Sequence, residues 1–142
     1  ASRPAGTATV LTAGPALSGW IAALDRETRG FSRAPELRAW LAAGGRGLVF
    51  RRHGRPVGYG LVQPAGDLGP IAVKDASVFG ETLVALAAVA PPRTRLVVPT
   101  EAAEALEAAR RCGFVLERLV PLLAIRPRGD FRRTTLTATP LV

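Results

Sequence analysis

Between residues 44 and 47 the hydrophobic period of the chain changes from that of a helix to that of a strand, and this switch narrows the fold more than any other feature. Upstream, Leu17, Trp20, Ile21 and Leu24 recur at i, i+3, i+4 and i+7, the stripe of an amphipathic helix. Gly30 closes that unit. Ser32 or Ala34 opens a second helix, in whose first turn Pro35 is tolerated. Its stripe is Leu37, Trp40 and Leu41, and Gly44-Gly45 stops it. Downstream the period is two. Residues 47–52 form a strand, His53-Gly54 a turn, and residues 56–63 the returning strand. In that strand Val57, Tyr59 and Leu61 are expected on one face. Gly58 and Gly60 leave the other face bare, either for a close helix or for backbone approach to a ligand.

The second half alternates. Residues 68–73 read as a short apolar strand. Asp75 is placed to cap a helix over about 76–90, with Phe79, Leu83, Leu86 and Ala90 inward. A strand at 95–98 follows Pro91-Pro92. Thr100 is the expected cap of a helix from 101 to about 111, which Gly113 ends. Residues 114–125 have a long apolar strand pattern broken by Pro121, and 134–141 alternate well enough for a last strand or edge. The order predicts an α/β (α+β) domain: a mixed, mostly antiparallel sheet of about six to seven strands flanked by about four helices. Residues 1–14 are read as linker and first strand, 15–126 as the domain, and 127–142 as a tail carrying the last strand.

Composition excludes several classes. One cysteine and one histidine leave no disulfide framework and no usual zinc ligand set, so no metal is expected. Cys112, on the apolar face of its helix, reads as a packing thiol. No apolar run approaches the roughly 20 residues of a membrane helix. A cytoplasmic domain without membrane contact is expected. The net charge of +8 comes from 19 basic residues, all arginine except Lys74, against 11 acidic ones. The arginines are spread from Arg3 to Arg133 and aromatics are only 6%, which disfavours a nucleic-acid surface. Arginine abundance with no asparagine fits the coding bias of a high-GC bacterium. The absence of methionine suggests one domain of a longer chain.

Three segments carry a family resemblance. They are Leu24-Asp25-Arg26 followed by Gly30, Arg33 and Leu37; the hairpin strand Gly54-Arg55-Pro56-Val57-Gly58-Tyr59-Gly60; and Gly69-Pro70-Ile71-Ala72 running into a helix, with Cys112-Gly113-Phe114 at the last helix-to-strand turn. Together, over residues 17–125, they resemble the GNAT superfamily of N-acetyltransferases. The likeness is closest to the C-terminal domain of bacterial two-domain members. The resemblance implies an acyl-CoA site, for acetyl-CoA or a larger acyl-CoA, between the strand at 68–73 and its parallel neighbour at 95–99. There the pantetheine arm would lie against free backbone groups and the pyrophosphate against the following helix N-terminus. Gly69, Ile71, Val73, Lys74 and Ala76 occupy the cofactor positions.

The sequence departs from the family pattern at the chemistry. The loop Val73-Lys74-Asp75-Ala76-Ser77-Val78-Phe79-Gly80 lacks the usual glycines, and Asp75 would oppose a diphosphate. Ala102 and Ala109 stand where many members use asparagine and tyrosine. Glu101 and Glu104 are the remaining candidates for a general base; the plainer role is a solvated first-turn acid. Asp25 and Arg26 read either as part of an ion pair with Arg33 or Arg29, or as a substrate or domain contact. Two functions are therefore expected in competition. One is an N-acyltransferase that moves an acyl group from acyl-CoA to a small amine. The other is a catalytically silent domain that completes an active neighbouring GNAT domain or forms a homodimer with a second copy.

Overall fold

The computed structural model describes residues 6–119 and 129–136. Strand β1 (Thr7–Leu11) leads into two short helices, α1 (Pro15–Ser18) and α2 (Trp20–Arg29), with Gly19 between them. Gly30, with φ 91°, ends α2 in the left-handed conformation and donates its N–H back to the Asp25 and Arg26 carbonyls. Helix α3 (Ala34–Ala42) starts where Ser32 Oγ accepts the N–H of Ala34. Then come β2 (Arg46–Arg52), β3 (Arg55–Val62) and β4 (Leu68–Val73). His53 and Gly54 both have positive φ, the conformation a two-residue hairpin turn demands. A 3-10 turn at Ala76–Val78 precedes α4 (Phe79–Ala87), and α5 (Ala103–Arg111) is the last long helix among the described residues.

The four strands pair antiparallel in the order β1-β2-β3-β4. Helices cover both faces. On one side Leu17, Ile21, Leu24 and Leu37 of α1–α3 pack on Val49, Tyr59, Leu61 and Ala72. On the other, Phe79, Leu83 and Leu86 of α4 and Ala105, Ala108 and Ala109 of α5 pack on Val62, Leu68, Ile71 and Val73. Strand β4 is buried along its whole length, as a strand covered on both faces must be.

The expected grouping of Val57 with Tyr59 and Leu61 fails. Phe50 pairs with Gly58 but Arg51 pairs with Pro56, so Val57 is an extra residue in a bulge. The bulge turns Val57 to the α4–α5 side while Tyr59 and Leu61 face α1–α3. The bare patch is real at Gly60, where a Cβ would overlap Leu86 of α4 and lie 3.2 Å from Ile71 Cγ1. At Gly58 a Cβ would instead crowd β4, at 3.0 Å from the Ala72 carbonyl and from Val73 Cγ1.

The sheet continues beyond β4 by single bridges rather than by the six to seven regular strands expected. Leu68 bridges Leu96 in parallel, Ala72 bridges Thr134 antiparallel, and Val97 bridges Leu136 antiparallel. Residues 114–119 make no strand pairing, contrary to the apolar pattern, and Val115, Leu116 and Leu119 are exposed. The rest of that expected strand lies outside the described residues, as does 137–141 of the last one. Thr100 does not cap α5: Ala102 holds the N-cap position, and its N–H is taken by the Pro99 carbonyl.

A buried polar cluster joins the α1–α3 layer to the sheet. Asp25 of α2 accepts hydrogen bonds from the Arg33 main-chain N–H (3.0 Å), from Arg33 Nη2 (2.9 Å) and from the Tyr59 hydroxyl of β3. Arg33 Nη2 also reaches the Tyr59 oxygen at 3.2 Å. Asp25 and Tyr59 are inaccessible and Arg33 is 4% exposed. Burial drives the Tyr59 phenol far above its ordinary pKa, so it stays a neutral donor to Asp25.

Two outcomes follow from this packing. Asp25→Ala leaves the Arg33 cation buried without its counter-charge and is expected to lower unfolding free energy by about 3–5 kcal/mol, read from urea denaturation. Gly60→Val forces Leu86 and Ile71 apart and is expected to cost about 1–3 kcal/mol by the same measurement; an unchanged midpoint would show that α4 does not close on β3.

Candidate functional site

The site the sequence points to lies where β4 ends. From Leu68, where its N–H meets the Arg95 carbonyl at 2.8 Å, β4 and the chain at 95–98 run parallel and then part. The space between them is filled by residues 134–136 of the same chain. The Ile71 N–H donates to Thr135 Oγ1 at 2.9 Å, and the Thr135 N–H donates to the Ile71 carbonyl at 2.8 Å. On the far side the Leu136 N–H donates to the Val97 carbonyl at 2.9 Å. Thr134 and Thr135 are inaccessible. Gly69, with φ 115°, allows this approach, because a Cβ there would sit 2.8 Å from the Leu136 carbonyl.

Of the five cofactor positions, Ile71 thus has both backbone groups engaged by Thr135, and Gly69 lies under Leu136. The Gly69 carbonyl accepts Gln63 Nε2 at 3.0 Å. Val73 is buried in the core against α4 and α5. The Lys74 N–H donates to Val57 and its carbonyl accepts Arg133 Nη1, both at 2.8 Å. The Lys74 ammonium stands 5.8 Å from the Trp20 ring, a cation–π contact. Ala76 opens the 3-10 turn. There Asp75 acts as the cap read from the sequence: its Oδ1 accepts the Ser77 N–H at 2.8 Å, and its carbonyl accepts the Val78 N–H at 3.1 Å. The Ser77 and Val78 N–H groups at the start of this turn are thus both held by Asp75.

Glu101 and Glu104 are exposed and line an open cavity of about 570 Å³ beside Lys74, Asp75, Ala76, Arg132 and Arg133. Among the described residues no hydrogen bond to a base or a nucleophile sets either acid apart. Ala102 and Ala109 are buried in the α4–α5 core and offer no polar atom. Cys112 is half-buried against the same core. Glu81 pairs with Arg52. No group of three or more metal-ligating side chains occurs among the described residues, and no helix among them is long and apolar enough to cross a membrane.

The inserted strand is anchored just upstream. Asp130 accepts Arg132 Nε at 2.8 Å and Arg133 Nε at 3.1 Å, and its own N–H donates to the Thr28 carbonyl. Arg133 also pairs with Glu27 of α2 at 3.4 Å. The alternation at 134–141 predicted a last strand or edge, of which residues 134–136 are described and make single bridges. Their place between two parallel strands was not legible, because alternation names no partner.

An antiparallel sheet between helix layers, with one parallel neighbour splayed from its last strand, is the architecture of an acyltransferase-type domain. The family model of the acetyltransferase (GNAT) domain matches residues 21–135, and the chain belongs to that family. No curated protein and no solved structure matches it.

The anchor has a pH signature. Hydrogen bonding from Arg132 outweighs burial and holds the Asp130 carboxyl down, to about 2. A carboxyl lowered on folding stabilises the fold above its unfolded pKa of about 3.9 and loses that contribution as pH falls towards the folded value. The urea midpoint of the protein is expected to exceed that of Asp130→Asn at neutral pH. The two should converge between about pH 4 and pH 2. Parallel curves across that window would show that Asp130 carries none of the anchor.

Proposed function

We propose that this GNAT domain is catalytically silent and serves a larger two-domain acetyltransferase by completing or pairing with an active neighbour. The observation that carries the reading is the engagement of both Ile71 backbone groups by Thr135. A pantetheine arm laid along β4 needs those groups free. A strand of the same chain competes for them at a high effective concentration, with no translational entropy left to lose. Asp75 supports the reading, since it holds the Ser77 and Val78 N–H groups of the following turn and brings a carboxylate to the place of the diphosphate. With these groups taken, the residues of the gap do not fit acyl-CoA.

A second reading, an active acyltransferase for a small amine, draws on Glu101 and Glu104 at the open cavity. It requires residues 134–136 to leave the gap before the cofactor enters.

Titration calorimetry with acetyl-CoA at moderate salt separates the two. The silent reading expects a dissociation constant of about 1 mM or weaker, near 4 kcal/mol of binding free energy. Low-micromolar binding would overturn it and restore the enzyme.

A further inference from the structure

We propose that Arg29, set between Phe31 and Phe131, is a binding site for a carboxylate carried on an apolar body. The site is separate from the gap beside β4 and stands whether or not that gap binds acyl-CoA.

Charge balance is the first argument. Arg29 and Arg33 bring two guanidinium charges to one end of α2, and Asp25 is the one described carboxylate paired with either of them. Asp25 already accepts from the Arg33 main chain, the Arg33 side chain and Tyr59. The nearby acids are engaged elsewhere: Glu27 with Arg133, and Asp130 with Arg132 and Arg133. Tyr59 is neutral. One positive charge therefore stays uncompensated in a partly buried place, which is costly without a counter-ion.

Unmet hydrogen bonding is the second. Arg29 Nε is buried without a partner, and so are Arg33 Nε and Nη1. Arg29 makes no hydrogen bond or ion pair among the described residues. Burial, then the neighbouring Arg33, lower its pKa, and the pull of Asp25, which is bonded to Arg33, only partly offsets them. A favourable contact with the C-terminal dipole of α2 accounts for an arginine here, but it needs neither a buried Nε nor a ring on either side.

The setting selects the ligand. The Arg29 guanidinium lies 5.6 Å from the Phe31 ring and 5.9 Å from the Phe131 ring. Both rings are within cation–π reach of it, and Phe31 is 52% exposed, so an apolar group from solvent can lie against that ring. A planar fork of N–H donors matches a carboxylate in two parallel bonds. One uncompensated charge matches a monoanion better than a dianion. Arg29 itself is half-buried, so the ligand reaches it from the surface and Arg33 acts from behind, by its charge.

Benzoate, acetate and benzamide test the three parts of this argument. Titrated by NMR at fixed ionic strength, benzoate is expected to give saturable shifts centred on Arg29, Phe31 and Phe131. Acetate should bind several-fold more weakly for want of the ring, and benzamide about tenfold more weakly for want of the charge. Arg29→Met keeps the length and apolar stem of the side chain and should lose the benzoate response about tenfold. Arg29→Lys keeps the charge without the fork and should recover only part of it. Benzamide equal to benzoate, an Arg29→Met protein that binds benzoate like the parent, or the absence of any saturable shift would each overturn the proposal. The parent-protein titration reads the site directly, so a variant that fails to fold does not shield it.

Discussion

The contact on which the rest of the structure depends is the buried meeting of Asp25, Arg33 and Tyr59. These residues come from the middle of α2, the start of α3 and the centre of β3. Apolar packing alone would let the α2–α3 layer slide on the sheet, because dispersion and hydrophobic contact are non-directional. A carboxylate that accepts three donors from two elements permits one arrangement. The chain geometry serves this contact. Gly30 turns the end of α2 back so that Arg33 meets a residue eight positions earlier. The bulge at Val57 sets Tyr59 on the face it needs, where its ring also meets Trp20 edge-on at 6.4 Å. A strand without the bulge would turn the hydroxyl to the α4 side and leave Arg33 with one partner fewer.

What the sequence made legible follows from how local each cause is. The hairpin, the glycine stop after α2, the proline in the first turn of α3 and the Asp75 cap depend on neighbours within a few residues, and all are present. The Asp25 ion pair was legible as one of two alternatives, since Arg29 stands one helical turn on and Arg33 lies just past the Gly30 stop. The structure chooses Arg33, because the Arg33 main-chain N–H bonds the same carboxylate. Tyr59 as the third member was not legible. It lies 34 residues from Asp25, and its face depends on a bulge with no sequence mark beyond Pro56. The apolar pattern at 114–119 misled for the converse reason: alternation shows that a strand is affordable and leaves open whether an edge is free to receive it. The residues named as cofactor positions lie on β4 and the turn after it, and whether the Ile71 backbone groups are free depends on a segment more than 60 residues away.

The gap beside β4 therefore turns on competition. Two parallel strands that part leave backbone groups that must be satisfied, and any extended partner can satisfy them. In this chain the partner is supplied from within. Its hold combines two main-chain bonds, one threonine hydroxyl bond and the charged clamp of Asp130 with Arg132 and Arg133. None of these is strong alone. Because each belongs to the same chain, a ligand must displace them together, and it gains only bonds of the same kind along β4.

Net charge does not tilt that competition. A surplus of +8 draws anions towards the molecule, but at physiological salt the attraction fades over about 8 Å. Specific affinity depends on which cations are unpaired at short range. Several arginines around the gap are paired: Arg52 with Glu81, Arg95 with Asp67, Arg132 and Arg133 with Asp130. Near the gap that leaves Lys74, which leans on Trp20 and has Asp75 beside it. On the other side of the inserted segment's anchor, the Arg29 side chain is hydrogen-bonded to no carboxylate or carbonyl among the described residues and lies near two aromatic rings. Among the described residues, a partly buried cation without a hydrogen-bonded anion therefore stands at the end of α2, whereas at the end of β4 the nearest cation, Lys74, has a carboxylate for a neighbour.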